Sequence, residues 1–304
     1  MAKLTLKGLV PALTTPFDQD GRLDLPGYRA LVNAVLGDGV HGLLVNGCTG
    51  ESWALDDAER AQVFRAAVEE TRGRVPVVAG CGAMTARQAR YKVGQAREAG
   101  CDAVLIQPPY YVMPGEAEVE AYFRAVAESS PLPVVVYNIP RRTGISLSTD
   151  LVDRLADVPQ VVALKESSKD FLVLSDMIRR VNGRIAVMAG YMGLLGLGAL
   201  SIGAAGFMDS ATPVLGRKAL QFYEAAIAGD LETARRLQDD MARLSAVFTR
   251  FGTFPVAVKA ALDFVGRPGG FPREPLLPLT SAQHLELRAA LTGLGIVAGG
   301  GGQA

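Results

Sequence analysis

The sequence predicts an α/β protein: a (β/α)8 TIM barrel with a C-terminal helical region. Three observations carry that expectation. Short apolar, β-branched runs recur eight times along the chain. They follow one another at roughly 20 to 35 residues, which is room for a strand, a helix and two loops. They are apolar nearly throughout instead of alternating, as suits parallel strands buried on both faces.

The runs are "GLVPAL" (8–13), "GLLVNG" (42–47), "VPVVAG" (75–80), "AVLIQ" (103–107), "PVVVYN" (133–138), "VVALK" (161–165), "IAVMAG" (185–190) and "AAGFMD" (204–209). Helical patterns separate them. "LDLPGYRALVNAVLGDG" has Asp24 as its cap. "LDDAERAQVFRAAVEETRG" starts near Asp56 and ends at Gly73, and "TARQARYKVGQAREAG" runs from Thr85 to Gly100. "GEAEVEAYFRAVAESS", "STDLVDRLADVP" and "FLVLSDMIRRVNG" follow the fourth, fifth and sixth runs. A doubly wound open sheet is the rival fold. It would usually show a glycine-rich phosphate loop after its first strand. Here "TTPFDQDG" follows, and the G-x-G at 80–82 stands alone.

One stretch, 185–208, carries no charge over 24 residues, enough in length to span a membrane. Six of its residues are glycines and both ends read as short strands. It is therefore read as strand, buried helix and strand of a soluble core. Beyond Val214 the strands cease. "GRKALQFYEAAIAGDLETARRLQDDMARLSAVFTRF" predicts two helices broken near Gly229, and "PVAVKAALDFVG" and "TSAQHLELRAALTGLG" predict more. The expected organisation is a barrel at 1–213, a helical region packed on it at 214–296 and a disordered tail at 297–304.

Composition excludes several function classes. Lys plus Arg and Asp plus Glu both number 31, so the formal net charge is zero and no basic patch predicts nucleic acid. Cys48, Cys81 and Cys101 form no C-x-x-C pair and are too few for a disulfide scaffold. His41 and His284 are far apart, and no H-E-x-x-H pattern exists, so no metal site is expected. "MAKLTLKGLVPALTTPF" lacks the apolar stretch of a signal peptide. The expected place of work is the cytoplasm, with no membrane partner.

In a (β/α)8 barrel, catalytic groups sit at the C-terminal ends of the strands. That rule selects Cys48, Thr49, Glu51 and Ser52 after the second run, and Tyr110 and Tyr111 after the fourth. It also selects Tyr137, Asn138, Arg141 and Arg142 after the fifth, Lys165 and Glu166 after the sixth, Gly190 and Tyr191 after the seventh, and Met208 and Asp209 after the eighth. Lys165 admits two readings. It points into water where a strand surfaces, or it is an amine held at the barrel mouth to attack a carbonyl. Burial lowers a lysine's pKa and frees the amine as a nucleophile. Tyr137, on the neighbouring strand, can carry protons. Thr49 and backbone N–H groups at the start of the next helix can hold a carboxylate. Together they describe Schiff-base chemistry on a 2-oxo acid. Each also has a bland reading. Tyr137 can cap a strand, Cys48 can be a small buried apolar side chain, Glu51 a first-turn helix acid, and the arginines a solvated loop.

At "GLVPALTTPFDQDGRLD", "GCTGES", "PPYYVMP", "VVVYNIPRRTG", "ALKESS" and "MAG" the chain resembles the dihydrodipicolinate synthase and N-acetylneuraminate lyase family of class I aldolases. The likeness runs from about Gly8 to about Pro278. It implies a barrel with a helical C-terminal region, assembled as a homotetramer of two dimers. It implies that Lys165 forms an imine with pyruvate or another 2-oxo acid, with Tyr137 as proton relay. Thr49 and the N–H groups around Cys48 and Thr49 would bind the carboxylate. Gly190 and Met208 would give backbone contacts near the imine. Tyr111 would enter a neighbouring subunit's site, and Arg142 would bind the second substrate's carboxylate. No cofactor and no metal are implied.

The resemblance favours a synthase that condenses pyruvate with aspartate semialdehyde, or a close paralogue. Cys48 stands where such synthases usually have threonine, and "AGYMGLL" lacks their usual acidic residue. Both leave open a 4-hydroxy-2-oxoglutarate-type aldolase or a 2-keto-3-deoxy sugar acid aldolase or dehydratase. A non-catalytic regulator that binds a 2-oxo acid is the reading from another class. Asp57, Arg60 and Met84 replace residues many synthases use to sense lysine, so lysine feedback is not expected.

Overall fold

All eight apolar runs become strands of one parallel sheet. The computed structural model describes residues 4–251 and 254–297. The strands are β1 Gly8–Leu9, β2 Leu43–Val45, β3 Val77–Gly80, β4 Ala103–Ile106, β5 Val134–Asn138, β6 Val161–Glu166, β7 Ala186–Ala189 and β8 Gly206–Phe207. Their order is β1-β8-β7-β6-β5-β4-β3-β2. A parallel bridge between Ala12 and Leu44 joins the two ends and closes the ring. The sixth strand runs one residue further than the sequence suggests, through Glu166.

Helices alternate with the strands. α1 (Leu25–Gly37) follows β1, α2 (Asp57–Thr71) follows β2, α3 (Ala86–Ala99) follows β3 and α4 (Glu116–Ala127) follows β4. α5 (Pro140–Thr143) and α6 (Thr149–Leu155) follow β5, α7 (Phe171–Val181) follows β6, and α8 (Met192–Ser201) follows β7. The predicted caps form. Asp24 accepts from Gly27 N at 2.9 Å, and Asp56 and Glu59 make a reciprocal capping box. Thr85 and Gly100 bracket α3. The end of α2 differs in detail: Arg72 takes the left-handed cap one residue before Gly73.

The uncharged stretch at 185–208 divides into β7, α8 and β8. Among the described residues no helix is long and apolar enough to cross a membrane. After β8 come α9 (Thr212–Leu215), α10 (Arg217–Ala228), α11 (Leu231–Arg250), α12 (Phe254–Phe264) and α13 (Ser281–Gly293). Gly229 ends α10 in the left-handed conformation, where the sequence places the break. α10 packs against β1 and α8, and α11 lies along α8 and α10. The expected tail at 297–304 falls outside the described residues except for Val297.

Two apolar clusters follow from strand alternation. Val10, Leu44, Val78, Leu105, Val135, Ala163 and Met188 fill the barrel interior. Val45, Ile106, Val134, Val136, Leu164 and Val187 face outward and pack with the helices. The closing seam between β1 and β8 is built from glycines. A Cβ at Gly206 would sit 2.1 Å from Gly8 O. Gly206→Ala is therefore expected to destabilise the chain by about 1–3 kcal/mol, the usual cost of forcing atoms into a packed interior. The check is a lower urea midpoint with an unchanged slope. An unshifted midpoint would show that the seam has room.

Candidate active site

The end of β6 decides whether Lys165 points into water. Alternation sends Leu164 and Glu166 to the outer face and Ala163 and Lys165 into the barrel. Glu166 is buried there without being the lysine's counter-ion. Its carboxylate accepts from Ser168 N at 2.7 and 3.0 Å and from Asn138 Nδ2 at 3.1 Å. Lys165 is 5% exposed. It does not point into water.

Register brings the lysine its partners. Lys165 pairs with Tyr137 on β5 and with Met188 on β7. Its Nζ lies 4.4 Å from the centroid of the Tyr137 ring. Burial pulls the ammonium pKa from 10.5 down to about 8, against the opposing influence of Cys48 and Asp209. Burial also raises Tyr137 well above the ordinary phenol value. Its hydroxyl shares a hydrogen bond with the Ser167 side chain. Gly190 makes room for that serine, since a Cβ there would come within 1.9 Å of Ser167 Oγ.

A cavity of about 270 Å³ opens above the amine. Cys48, Thr49, Tyr137, Arg142, Lys165, Gly190 and Met208 all line it. Of the strand-end candidates, Glu51, Ser52, Tyr110, Asn138 and Glu166 do not line it, and neither does Tyr111. That residue is 89% exposed on the loop after β4, beside the exposed Val112 and Met113. A larger neighbouring cavity of about 380 Å³ shares Cys48, Tyr137 and Arg142 as a wall but lacks the lysine. Lys165 lines only the first of the two.

The turn after β2 forms one end of the cavity. Glu51 N donates to Cys48 O at 3.2 Å, Ser52 N to Gly47 O at 3.3 Å, and Thr15 Oγ1 to Gly50 O at 2.8 Å. The N–H groups of Cys48 and Thr49 donate to no acceptor among the described residues. Both residues line the cavity. Gly190 N donates to Glu166 O at 2.7 Å and Met208 N to Ala189 O at 2.9 Å. Any backbone contact these two offer the cavity is therefore through a carbonyl oxygen. Arg142, on the short helix α5, is exposed with Arg141, and both line the cavity beside the half-buried Lys169.

One cavity residue, Ser167, is new to the site, and Asp209, a strand-end candidate, lines it as well. Ser167 has the same strand parity as Lys165, so the period of two was the signal that could have found it. Asp209 is buried, lines the cavity and accepts from Thr212 Oγ1 at 2.6 Å and Thr212 N at 3.2 Å. Burial raises its pKa. Among the described residues no group of three or more His, Cys, Asp or Glu converges as metal ligands would.

This geometry has close parallels. A model of the dihydrodipicolinate synthetase family matches residues 5–294. A 4-hydroxy-tetrahydrodipicolinate synthase of Nitratidesulfovibrio vulgaris is 36% identical over 97% of this chain and all of its own. The crystal structure of a Bacillus anthracis dihydrodipicolinate synthase superposes with a TM-score of 0.91 at 34% identity, covering 95% of this chain and 98% of that one. A dihydrodipicolinate synthase of Acinetobacter baumannii, crystallised with pyruvate, gives 0.92 at 31% identity over 96% of this chain and 100% of the other. A family match across nearly the whole length, on a barrel that buries its lysine beside a tyrosine, places this chain in the dihydrodipicolinate synthetase family of Schiff-base lyases.

Proposed function

We propose that the protein condenses pyruvate with aspartate semialdehyde, as a 4-hydroxy-tetrahydrodipicolinate synthase does. One observation carries the reading: a desolvated lysine amine in a cavity, against a tyrosine, with the Cys48–Thr49 turn in the same lining as an anion cradle. The comparisons supply the substrates, since relatives of this length and identity carry that synthase name.

The pyruvate carboxylate sits on the N–H groups of Cys48 and Thr49 and on the Thr49 hydroxyl. This fixes the C2 carbonyl over Lys165 Nζ. The neutral amine adds to C2. Tyr137 relays the two protons of the nitrogen to the oxygen, which leaves as water, and an imine remains. The protonated imine draws electrons from the methyl group, which loses a proton to become the enamine carbon. That carbon bonds to the aldehyde carbon of the second substrate, and Arg142 at the mouth holds the second substrate's carboxylate. The amino group of the second substrate then adds to the imine carbon, which closes a ring and releases Lys165 as the free amine.

A thiol is a poor hydrogen-bond donor, so Cys48 is a weak partner for Tyr137. Ser167 supplies the hydroxyl that touches the tyrosine. Tyr111 does not enter its own chain's cavity. We infer that it serves a neighbouring subunit in a homotetramer, a reading supported by its exposure with Val112 and Met113.

The direct test traps the protein with pyruvate and borohydride and weighs it intact. The expected result is one adduct, absent from Lys165→Ala, and product from pyruvate with aspartate semialdehyde. Cleavage of 4-hydroxy-2-oxoglutarate without any condensation would overturn the synthase reading. Ser167→Ala is expected to lower kcat by ~10-fold, about 1.4 kcal/mol of transition-state stabilisation, while Cys48→Ala stays within about threefold. The reverse order would return the relay to Cys48. Finally, only the free amine attacks, so adduct formation should have an acid limb near the lysine's pKa of about 8. Asp209, Cys48 and Tyr137 are the groups that face it. Removing the Asp209 charge removes support for the ammonium, so in Asp209→Asn the limb moves to lower pH. A limb that stays or moves up would show that the carboxylate does not influence the amine.

A further inference from the structure

Outside the cavity lies a buried ion pair that this mechanism does not use. Lys259, on α12, contacts Glu51 Oε1, and the two side chains are 1% and 0% exposed. The other carboxylate oxygen, Oε2, accepts from Arg273 N at 2.9 Å. Lys259 Nζ also donates to Phe271 O at 2.7 Å. The Phe17 ring lies against both cations, 4.4 Å from Lys259 Nζ and 4.0 Å from the Arg273 guanidinium carbon. The Arg273 guanidinium in turn donates to Ala54 O at 2.6 Å and to both Glu59 oxygens at 2.7 Å. The C-terminal helical region thus grips the segment 51–59 at several points.

What it grips is the far side of the anion cradle. Glu51 is two residues from Thr49, and its backbone is in the left-handed region with φ of 52°. A non-glycine residue holds that conformation only where its surroundings over-determine it. Here the surroundings are the Lys259 ammonium and the Arg273 N–H. The same residue closes the turn, donating from N to Cys48 O at 3.2 Å and accepting at O from Ala54 N at 2.8 Å. The orientation of the Cys48 and Thr49 N–H groups therefore depends on where the Glu51 carboxylate is held.

We propose that Glu51, Lys259 and Arg273 are positioning residues for the substrate carboxylate, acting through the backbone of the Cys48–Glu51 turn. The proposal rests on the reading that the carboxylate occupies that turn. Such a clamp has a signature that general stabilisation lacks. Loosening it should weaken recognition of the charged end of the substrate while leaving the reacting carbonyl alone.

The test compares pyruvate with its neutral methyl ester as probes for the Lys165 amine. Both are trapped with cyanoborohydride at sub-saturating concentration and followed by intact mass. The variants are E51Q/K259M, which removes both charges so that neither is stranded in the interior, and E51D, which keeps the pair and shortens one arm. The expected result is a preference of the wild type for pyruvate over the ester that falls by ~10-fold or more in both variants. An unchanged preference in either variant, with cooperative melting retained, overturns the proposal, as does equal slowing of both probes. E51D carries the test should the double variant not fold. A wild type that forms adducts with both probes at equal rates would instead remove the carboxylate reading beneath the proposal. A wild type that forms neither adduct would remove the Schiff-base reading itself.

Discussion

The removal of one amine from water is the constraint on which the rest depends. A solvated lysine remains an ammonium ion at neutral pH and has no lone pair to offer. Inside the barrel the charged form loses its hydration, and the pKa falls to about 8. The architecture is arranged around that loss. The barrel interior is apolar below the lysine, with Ala163 and Met188 beside it. Tyr137 and Asp209 face it, and the Asp209 carboxylate opposes the fall without cancelling it. The nearest acid in sequence, Glu166, is turned to the opposite face and satisfied there by Asn138 and Ser168. A single strand thus keeps the lysine apart from its neighbouring acid.

The fold was legible because a parallel barrel writes itself as repetition. Eight apolar runs, with a capped helix after most of them, leave few other ways to bury so much β-branched surface. α5 and α9 were not legible, since four-residue helices are too short to show a period. The site was legible wherever position alone assigns it. The strand-end rule found Lys165, Tyr137 and Thr49, and the geometry brings them into one cavity. Ser167 went unread because "ESS" looks like a strand surfacing, although its parity with Lys165 points it inward. Glu51 is a strand-end candidate with a second reading as a first-turn helix acid, and nothing local connects it to Lys259. The two lie at opposite ends of the chain, and only the folded barrel makes them neighbours. Residues that act by distance along the strand can be read from spacing. Residues that act by closing the fold on itself cannot.

That closure bears on how the molecule comes into being. A ribosome releases the strands, the lysine and the tyrosine well before it reaches residues 259–273. Until those residues emerge, Glu51 has no ammonium to meet, and a carboxylate awaits partners at the edge of a barrel otherwise complete. The nascent chain can bury Lys165 beside Tyr137 early, yet the pairing of Glu51 with Lys259 must come last. Chain termination anywhere short of Arg273 would then leave the Glu51 carboxylate without the N–H that its Oε2 accepts from.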